Sequence, residues 1–289
     1  MTAVVFDSQP GGTQTLATFK GWAKGLHDAL LAVGLVQVPS GQASGQINFD
    51  LVTTLPTATS SVGYAIYAFS DSQQTIAPLF LRVEYRVGVA SRATIYMDLI
   101  KSFTSAGAVI GSLGGNSNLT YSDTAETLRT SHIAHGDGWL TISLFAGTTT
   151  TNAGQQFAFE RSRINGAPTP TAVLTARSFS FAVWDYATLN QRSQSGALRF
   201  PEFGSLGTFD LGVTPVFPSA PMFPIGAPPW QPISMLAVPP NDRPPSPFPC
   251  ILEGVSRQYQ NPDMYSGRGM AASSSASAAS TNATALLWQ

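Results

Sequence analysis

Two histidines and an aspartate lie close together in the run Ser131-His-Ile-Ala-His-Gly-Asp-Gly138. Imidazole nitrogens and carboxylate oxygens are ordinary zinc ligands. Two histidines three residues apart reach one ion only in a helix or a tight turn, and a working site needs further ligands and support from surrounding groups. The run precedes a strand pattern and is rich in glycine, which favours a surface loop with solvated histidines. We therefore expect no functional metal site and no cofactor, and keep His132 and His135 as the metal-ligand candidates.

A second candidate site is an aspartate between two aromatic residues, Trp184, Asp185 and Tyr186. This arrangement is a candidate for carbohydrate binding. The competing interpretation is the end of a strand beside aromatic side chains that belong to an interface. The other carboxylates are scattered along the sequence, and a glycosidase pair cannot be recognised or excluded in this way because it is formed in space.

Residues that could act as nucleophiles or bases have no supporting signature. His27 is adjacent to Asp28 on the polar side of a predicted helix, which is typical of a surface pair. Cys250 lies between Pro249 and Ile251, with no neighbouring cation that would lower its pKa. The glycines from Gly107 to Gly115 lack the phosphate-loop pattern and favour a tight hairpin or a bulge. We expect that the chain is not an enzyme.

The composition narrows the function further. The chain has 289 residues, 43% of them hydrophobic, so it can bury a sizeable core. Charged residues make up 11% and the net charge is -1, which argues against binding to nucleic acid or to an anionic membrane surface. No secretory signal and no apolar run of about 18 residues is visible. The single cysteine excludes an internal disulfide. A neutral, hydroxyl-rich surface suits a subunit that is soluble until neighbours cover it.

The elements that position these residues begin with a predicted amphipathic helix from Thr15 to Leu35. Thr13 or Thr15 is the expected N-cap, and Gly34 is the expected left-handed residue at the C-terminus. Gly21 and Gly25 indicate either close packing of another backbone or a helix that tolerates them. The apolar face of this helix recurs at three- and four-residue spacing: Leu16, Phe19, Ala23, Leu26, Leu30 and Val33.

From residue 41 to 200 the pattern alternates with period two, which predicts a β body. The clearest strand covers residues 79–87, and five shorter ones are predicted at 63–69, 94–100, 140–145, 155–160 and 178–186. Turn-rich segments at 112–118, 136–138 and 165–170 separate them. The fold class predicted is mainly β: an antiparallel, jelly-roll-like β-sandwich with an N-terminal helix in residues 1–40.

The C-terminal third has a different composition. Residues 201–269 are rich in proline, which excludes regular helix and nearly excludes ladder strands. They are also too apolar for a solvated linker, so we expect an extended arm that lies on its own domain or on a neighbouring subunit. Residues 270–289 form a Ser/Ala-rich tail whose apolar tip is a candidate docking element. The candidate interface residues are Phe223, Trp230, Phe248, Leu286, Leu287 and Trp288.

Five runs in the N-terminal half follow one another in a distinctive order: Phe19-Lys-Gly-Trp22, Leu26 to Val36, Ser44 to Val52, Gly63 to Asp71 and Ala77 to Tyr85. In this order the N-terminal half resembles a family of tailed-phage and prophage virion proteins. Members of that family show an aromatic-rich helix ending in Gly-Leu, then Gly-Gln-Ile and an aromatic residue. The resemblance covers residues 13–165 and implies a virion location in the tail, baseplate, collar or fibre attachment. It supplies no catalytic residues. The proline-rich arm and the Ser/Ala tail depart from the family pattern.

Three functions follow, in the order in which we expect them. The first is a structural virion subunit, made in the bacterial cytoplasm, whose partners are itself in a homo-oligomer and other virion proteins. The second is a receptor- or carbohydrate-binding module of a fibre, which contacts a host surface receptor through exposed aromatic residues such as Trp139, Trp184 or Tyr186. The third is a depolymerase or a metal-dependent hydrolase that uses His132 and His135.

Overall fold

The structure is a computed structural model with antiparallel β-sheets and, among the residues it describes, one α-helix. The predicted mainly β class is therefore confirmed. Within the described part of the chain, no helix is long and apolar enough to cross a membrane. The described residues are 2–8, 15–56, 60–87, 93–120, 129–147, 152–181, 192–200, 204–210, 233, 235–238, 248–252, 254–260 and 283–288.

The helix α1 spans Leu16–Ala32 and begins with a capping box. The Thr15 hydroxyl accepts from the Thr18 amide at 3.1 Å, and the Thr18 hydroxyl accepts from the Thr15 amide at 2.9 Å. Gly34, just beyond the C-cap, has a φ of 99°, as predicted. An added Cβ at Gly21 would meet no atom within 4 Å, so this glycine does not mark a close backbone contact. The buried face confirms the predicted periodicity: Phe19, Trp22, Ala23, Leu26, Ala29 and Leu30.

A five-stranded sheet follows the helix, with the strand order β2-β3-β4-β5-β6. Its strands are β2 Val36–Gln37, β3 Ser60–Ala68, β4 Phe80–Val87, β5 Ala93–Phe103 and β6 Val109–Thr120. The predicted alternation on β4 is confirmed, because Leu81, Val83, Tyr85 and Val87 are all buried. The predicted turn at 112–118 is wrong, since these residues lie in β6. Gly114 pairs with Leu99 between two register shifts, and a bulged strand tolerates glycine there.

A seven-stranded sheet has the order β1-β7-β8-β9-β10-β11-β12. Its strands are β1 Thr2–Ser8, β7 Arg129–Gly136, β8 Trp139–Gly147, β9 Asn152–Ile164, β10 Ala167–Phe181, β11 Arg192–Phe200 and β12 Gly204–Asp210. The edge strand β1 was not predicted. Asn165 and Gly166, with φ of 50° and 80°, form a two-residue turn, and the chain pairs again from Ala167. The predicted turn at 165–170 is therefore shorter than expected.

One apolar core is shared by α1 and residues of both sheets. Leu26 and Leu30 of the helix belong to the same cluster as Tyr85 of the five-stranded sheet and Ile142 and Phe157 of the seven-stranded sheet. Consecutive strands pair within each of these two sheets, apart from the pairing of β1 with β7. This order is that of antiparallel meanders, whereas a jelly roll needs Greek-key connections. The jelly-roll part of the prediction is therefore corrected.

The C-terminal region builds a third sheet of four strands, which we call the arm sheet. Its order is β13 Met235–Val238, β16 Ala283–Leu287, β15 Val255–Gln260 and β14 Phe248–Leu252. The expectation that proline nearly excludes ladder strands here is wrong. The strands of the arm sheet avoid proline except at Pro249, which lies on the edge strand β14, where a missing amide donor is tolerated.

Candidate functional site

The arm sheet contributes to a second buried cluster, on the face of the seven-stranded sheet opposite to the shared core. Side chains alternate along β7, so Ile133 belongs to the shared core and Ala134 to the second cluster. Trp139 of β8 joins Ala134 there, and the arm region supplies Ile233, Tyr259 and Leu287. We call this cluster the arm seat. It closes over the outer face of β7 and β8 and buries it.

Hydrogen bonds fix the arm in the seat. The Ile233 amide donates to Glu160 Oε2 at 2.8 Å, and the Ile233 carbonyl accepts from the Tyr259 hydroxyl at 2.7 Å. The Thr141 hydroxyl on β8 donates to the Leu287 carbonyl at 2.8 Å. Because these groups are buried, losing any of their partners would leave a polar atom unsatisfied, at about 1–3 kcal/mol. The polar groups of the seat therefore set the position of the arm.

The last strand, β16, lies in the middle of the arm sheet. It pairs with β13 over four residues and with β15 at Tyr259 and Gln260. Leu287 is buried, the Trp288 amide donates to the Gln258 carbonyl at 2.8 Å, and the Trp288 ring lies edge-on to His132, with centroids 5.5 Å apart. The apolar tip of the chain thus docks on its own body in this structure.

The other predicted interface residues are distributed as follows. Leu286 lies in β16, opposite Met235 and Gln260, and Phe248 begins the edge strand β14. Phe223 and Trp230 lie outside the described residues, and so do Trp184, Asp185 and Tyr186 of the candidate carbohydrate site. Their expected roles stay predictions.

The two candidate metal ligands lie in β7 and not in a solvated loop, which corrects the expectation. Both are buried, and because they are three residues apart on a strand they point to opposite faces. His132 faces Trp288, whereas His135 lies in the core beside Phe69 and donates from Nδ1 to the Val33 carbonyl at 3.1 Å. One ion cannot bind both rings. No group of three or more potential metal ligands occurs within the described residues.

Burial keeps both imidazoles neutral near pH 7. It lowers the pKa of His132 to about 4. It also lowers the pKa of His135, although the hydrogen bond to Val33 acts in the opposite direction. His135 therefore ties the C-terminal end of α1 to β7 as a neutral donor, and His132 forms part of the surface on which Trp288 rests.

The low pKa of His132 makes the protein less stable in acid. The unfolded chain takes up a proton near pH 6.5 while the folded chain resists it until about pH 4, so the free energy of unfolding falls as the pH drops through this window. For this group we expect a loss of about 2 kcal/mol between pH 7 and pH 5. Urea unfolding of the wild type and of His132→Gln across this range measures it. The wild type should lose more stability than the variant, and parallel curves would contradict the assignment.

His27 is the third histidine, and the predicted surface pair with Asp28 is wrong. Its Nδ1 lies 2.6 Å from the Tyr67 hydroxyl and its ring packs on Phe49, while Asp28 pairs with Lys24 at 2.6 Å. Burial lowers the pKa of His27. The Tyr67 hydroxyl is also 3.3 Å from that of Tyr85, and burial raises the pKa of both tyrosines. This polar chain anchors α1 to the five-stranded sheet.

A buried ion pair was not foreseen from the sequence. Arg161 Nε lies 2.7 Å from Asp71 Oδ2, and both side chains are fully buried. The Arg161 amide also donates to the Gly138 carbonyl at 2.8 Å, and Asp137 beside it accepts from the amide and hydroxyl of Ser72. These contacts bind the loop after β3 to the β7-β8 hairpin. They leave no exposed surface of the pair for a substrate.

The outer face of the five-stranded sheet carries a second charged group. Glu84 accepts from Arg82 at 2.8 Å and from Arg86 at 2.7 Å, and the two guanidinium groups stack on Tyr64 and Tyr96. Burial acts to raise the pKa of Glu84, but the hydrogen bonds from Arg86 and Arg82 outweigh it and lower that pKa. The carboxylate and both guanidinium groups are thus paired with neighbours.

The arm seat brings together more of the sequence-predicted residues than any other described place in the molecule, namely His132, Trp139, Leu287 and Trp288. Its residues Tyr259, Glu160 and Ile233 were missed, because their meeting depends on the register of strands distant in sequence. The arm seat binds the strand β16 through hydrogen bonds to its backbone and through the buried side chain of Leu287. Comparison of the chain with models of protein families, with curated proteins and with solved structures gave no match.

Proposed function

We propose that this protein is a structural subunit of a tailed-phage virion, in the tail, baseplate or fibre region. It assembles with copies of itself and with other virion proteins through its arm. In this proposal the two body sheets pack as a β-sandwich around α1, and the arm sheet presents the surface for neighbours. The resemblance of residues 13–165 to phage virion proteins supports the location, and the arm sheet supports the assembly role.

The observation that carries the assembly role is the exposed apolar hairpin of β14 and β15. Ile251 is 72% exposed and Val255 is 52% exposed, and they flank the turn of this hairpin at the edge of the arm sheet. Exposed apolar groups on an edge hairpin favour association with another chain. A chain with 11% charged residues has few charges to oppose such contacts.

The double variant Ile251→Ser, Val255→Ser tests the proposal. If the hairpin lies in an interface, the wild type forms a defined oligomer in light scattering and the variant dissociates at concentrations at least tenfold higher, since each buried apolar side chain contributes roughly 1.5–3 kcal/mol. The matched control is Leu51→Ser, Ile76→Ser, at sites 75% and 68% exposed outside the arm.

The control variant should keep the wild-type mass, which would separate the hairpin from a general effect of surface hydrophobicity. A wild-type protein that stays monomeric at every concentration contradicts the assembly proposal. Equal dissociation of both double variants would show a general effect of surface hydrophobicity and would contradict an interface at the hairpin.

The receptor- or carbohydrate-binding function is the second proposal. Its candidate residues Trp184, Asp185 and Tyr186 lie outside the described residues. Trp139, expected on an exposed loop for the same role, is instead buried in the arm seat. The assembly role is therefore the better supported of the two.

A further inference from the structure

The strand β16 reaches its place in the arm sheet through a long connection. It lies beside β15, whose Gln260 pairs with Leu286. Yet the 22 residues 261–282 separate the end of β15 from the start of β16 at Ala283. Neighbouring antiparallel strands are about 5 Å apart, and hairpin loops of about 2–5 residues usually join them. The connection is much longer than the pairing of β15 with β16 requires.

A chain of this length is long enough to span the distance to a neighbouring molecule. Fully extended, 22 residues span up to roughly 70 Å, which exceeds the diameter of a small domain. From Ala271 to Ala285 the sequence consists of Ser, Ala, Thr and Asn, with no large apolar residue. The next large apolar residues after this stretch are Leu286 and Leu287, so the anchoring groups are concentrated at the tip.

The described contacts of β16 and of Trp288 beside it are made with residues that precede the connection. They comprise the ladders to β13 and β15, the Thr141 hydroxyl, the His132 ring and the cluster around Leu287. The same ladders, hydrogen bond and buried leucine would form if the strand came from another molecule. The position of β16 therefore does not depend on which copy supplies it.

We infer that β16 is exchanged between copies, so that in the assembled state the slot between β13 and β15 holds residues Ala283 to Trp288 of a second copy of this chain. The inference rests on the proposed assembly function and names its partner. The structure shows the slot filled within one chain. Because the contacts are equivalent, the effective concentration of the strand near the slot decides which copy fills it. For a strand of the same chain this effective concentration is on the order of millimolar. Copies held together by the β14-β15 hairpin provide a comparable concentration.

Cysteine pairing distinguishes the two occupants. Cys250 is replaced by Ser, which removes the native thiol. Two full-length copies with different affinity tags are then co-expressed, one with Ala237→Cys and the other with Thr284→Cys, at positions directly opposite in the β13-β16 ladder. A second set uses Val238→Cys and Ala283→Cys. In an antiparallel ladder, hydrogen-bonded and non-hydrogen-bonded residue pairs alternate and differ in their Cα–Cα distance, so the two sets test both kinds of pair. In either kind, residues directly opposite each other are near enough to form a disulfide.

We expect a covalent dimer that carries both tags, at twice the mass of 30.5 kDa on a non-reducing gel, and we expect reduction to remove it. The control is one chain with both cysteines of a pair. If this control forms its disulfide as a monomer and no dimer forms between copies, exchange is wrong. If neither arrangement forms a disulfide in either set, the β13-β16 register is wrong and the inference is overturned.

Light scattering on the Cys250→Ser protein distinguishes a failure of the exchange inference from a failure of the proposed assembly function. An oligomer whose disulfides form only within chains refutes exchange and leaves the assembly role standing. A monomer with disulfides only within chains refutes both.

Discussion

Replacement of Leu287 by Ala is expected to lower the free energy of unfolding by about 2–5 kcal/mol. Leu287 is buried in the arm seat with Trp139 and Tyr259, so truncation removes apolar contacts and leaves a cavity at the junction of arm and body. Urea unfolding of the full chain measures the loss. Hydrogen exchange of the amides of β13 and β15 shows whether the arm sheet opens first.

The matched control for Leu287 is Leu51→Ala, outside the arm. Leu51 loses the same side-chain atoms from a position that is 75% exposed, so the free energy of unfolding should change by no more than about 0.5 kcal/mol. If the two variants lose equal stability, Leu287 is not an anchor and the arm seat is not the attachment point of the C-terminus. The exchange of β16 would then lose its main energetic support as well.

The sequence predicts well those elements that are buried on one side. The helix α1 and the strand β4 have one apolar face and one polar face, and these give clear periods of 3.6 and 2 in the sequence. The hairpin turn at Asp137 and Gly138 was also predicted, because a left-handed backbone favours glycine and Gly138 has a φ of 77°. In these cases local sequence and tertiary burial agree.

Elements buried on both sides are harder to recognise from sequence. The strand β7 is covered by the shared core on one face and by the arm seat on the other, so His132 and His135 are both buried and no alternation marks the strand. The strands of the arm sheet are short; β13 to β15 lie in the proline-rich region and β16 in the Ser/Ala-rich tail, so regional composition hides them. The strand β13 pairs only with β16, which begins at residue 283, among the described strands.

The candidate site was predicted in part for the same reason. The apolar tip of the chain was identified as a docking element because Leu286, Leu287 and Trp288 follow a Ser/Ala stretch. Its receptor surface could not be identified, since Thr141 and Leu287 are 146 residues apart in sequence and meet only after both sheets have formed. Sequence patterns indicate which side chains are buried, whereas strand register decides which of them are in contact.

The substitution Asp71→Asn is expected to lower the free energy of unfolding by about 3–5 kcal/mol. It keeps the side-chain oxygen that accepts from the Gln73 amide at 3.0 Å, but it removes the negative charge that faces Arg161. The guanidinium is fully buried, so its positive charge would lack a counterion in a medium that solvates it poorly. Urea unfolding at pH 7 measures the change.

Two further variants test whether the loss of stability comes from leaving the buried Arg161 unpaired. Asp28→Asn removes a carboxylate from the exposed pair with Lys24, where solvent screening leaves little to lose and we expect a much smaller change. The double variant Asp71→Asn, Arg161→Met removes both buried charges and should recover much of the loss, because the cost lies in the unpaired guanidinium. If Asp71→Asn alone costs no more than Asp28→Asn, the ion pair does not hold the loop after β3 to the seven-stranded sheet. The loop would then be fixed by the contacts of Asp137 with Ser72.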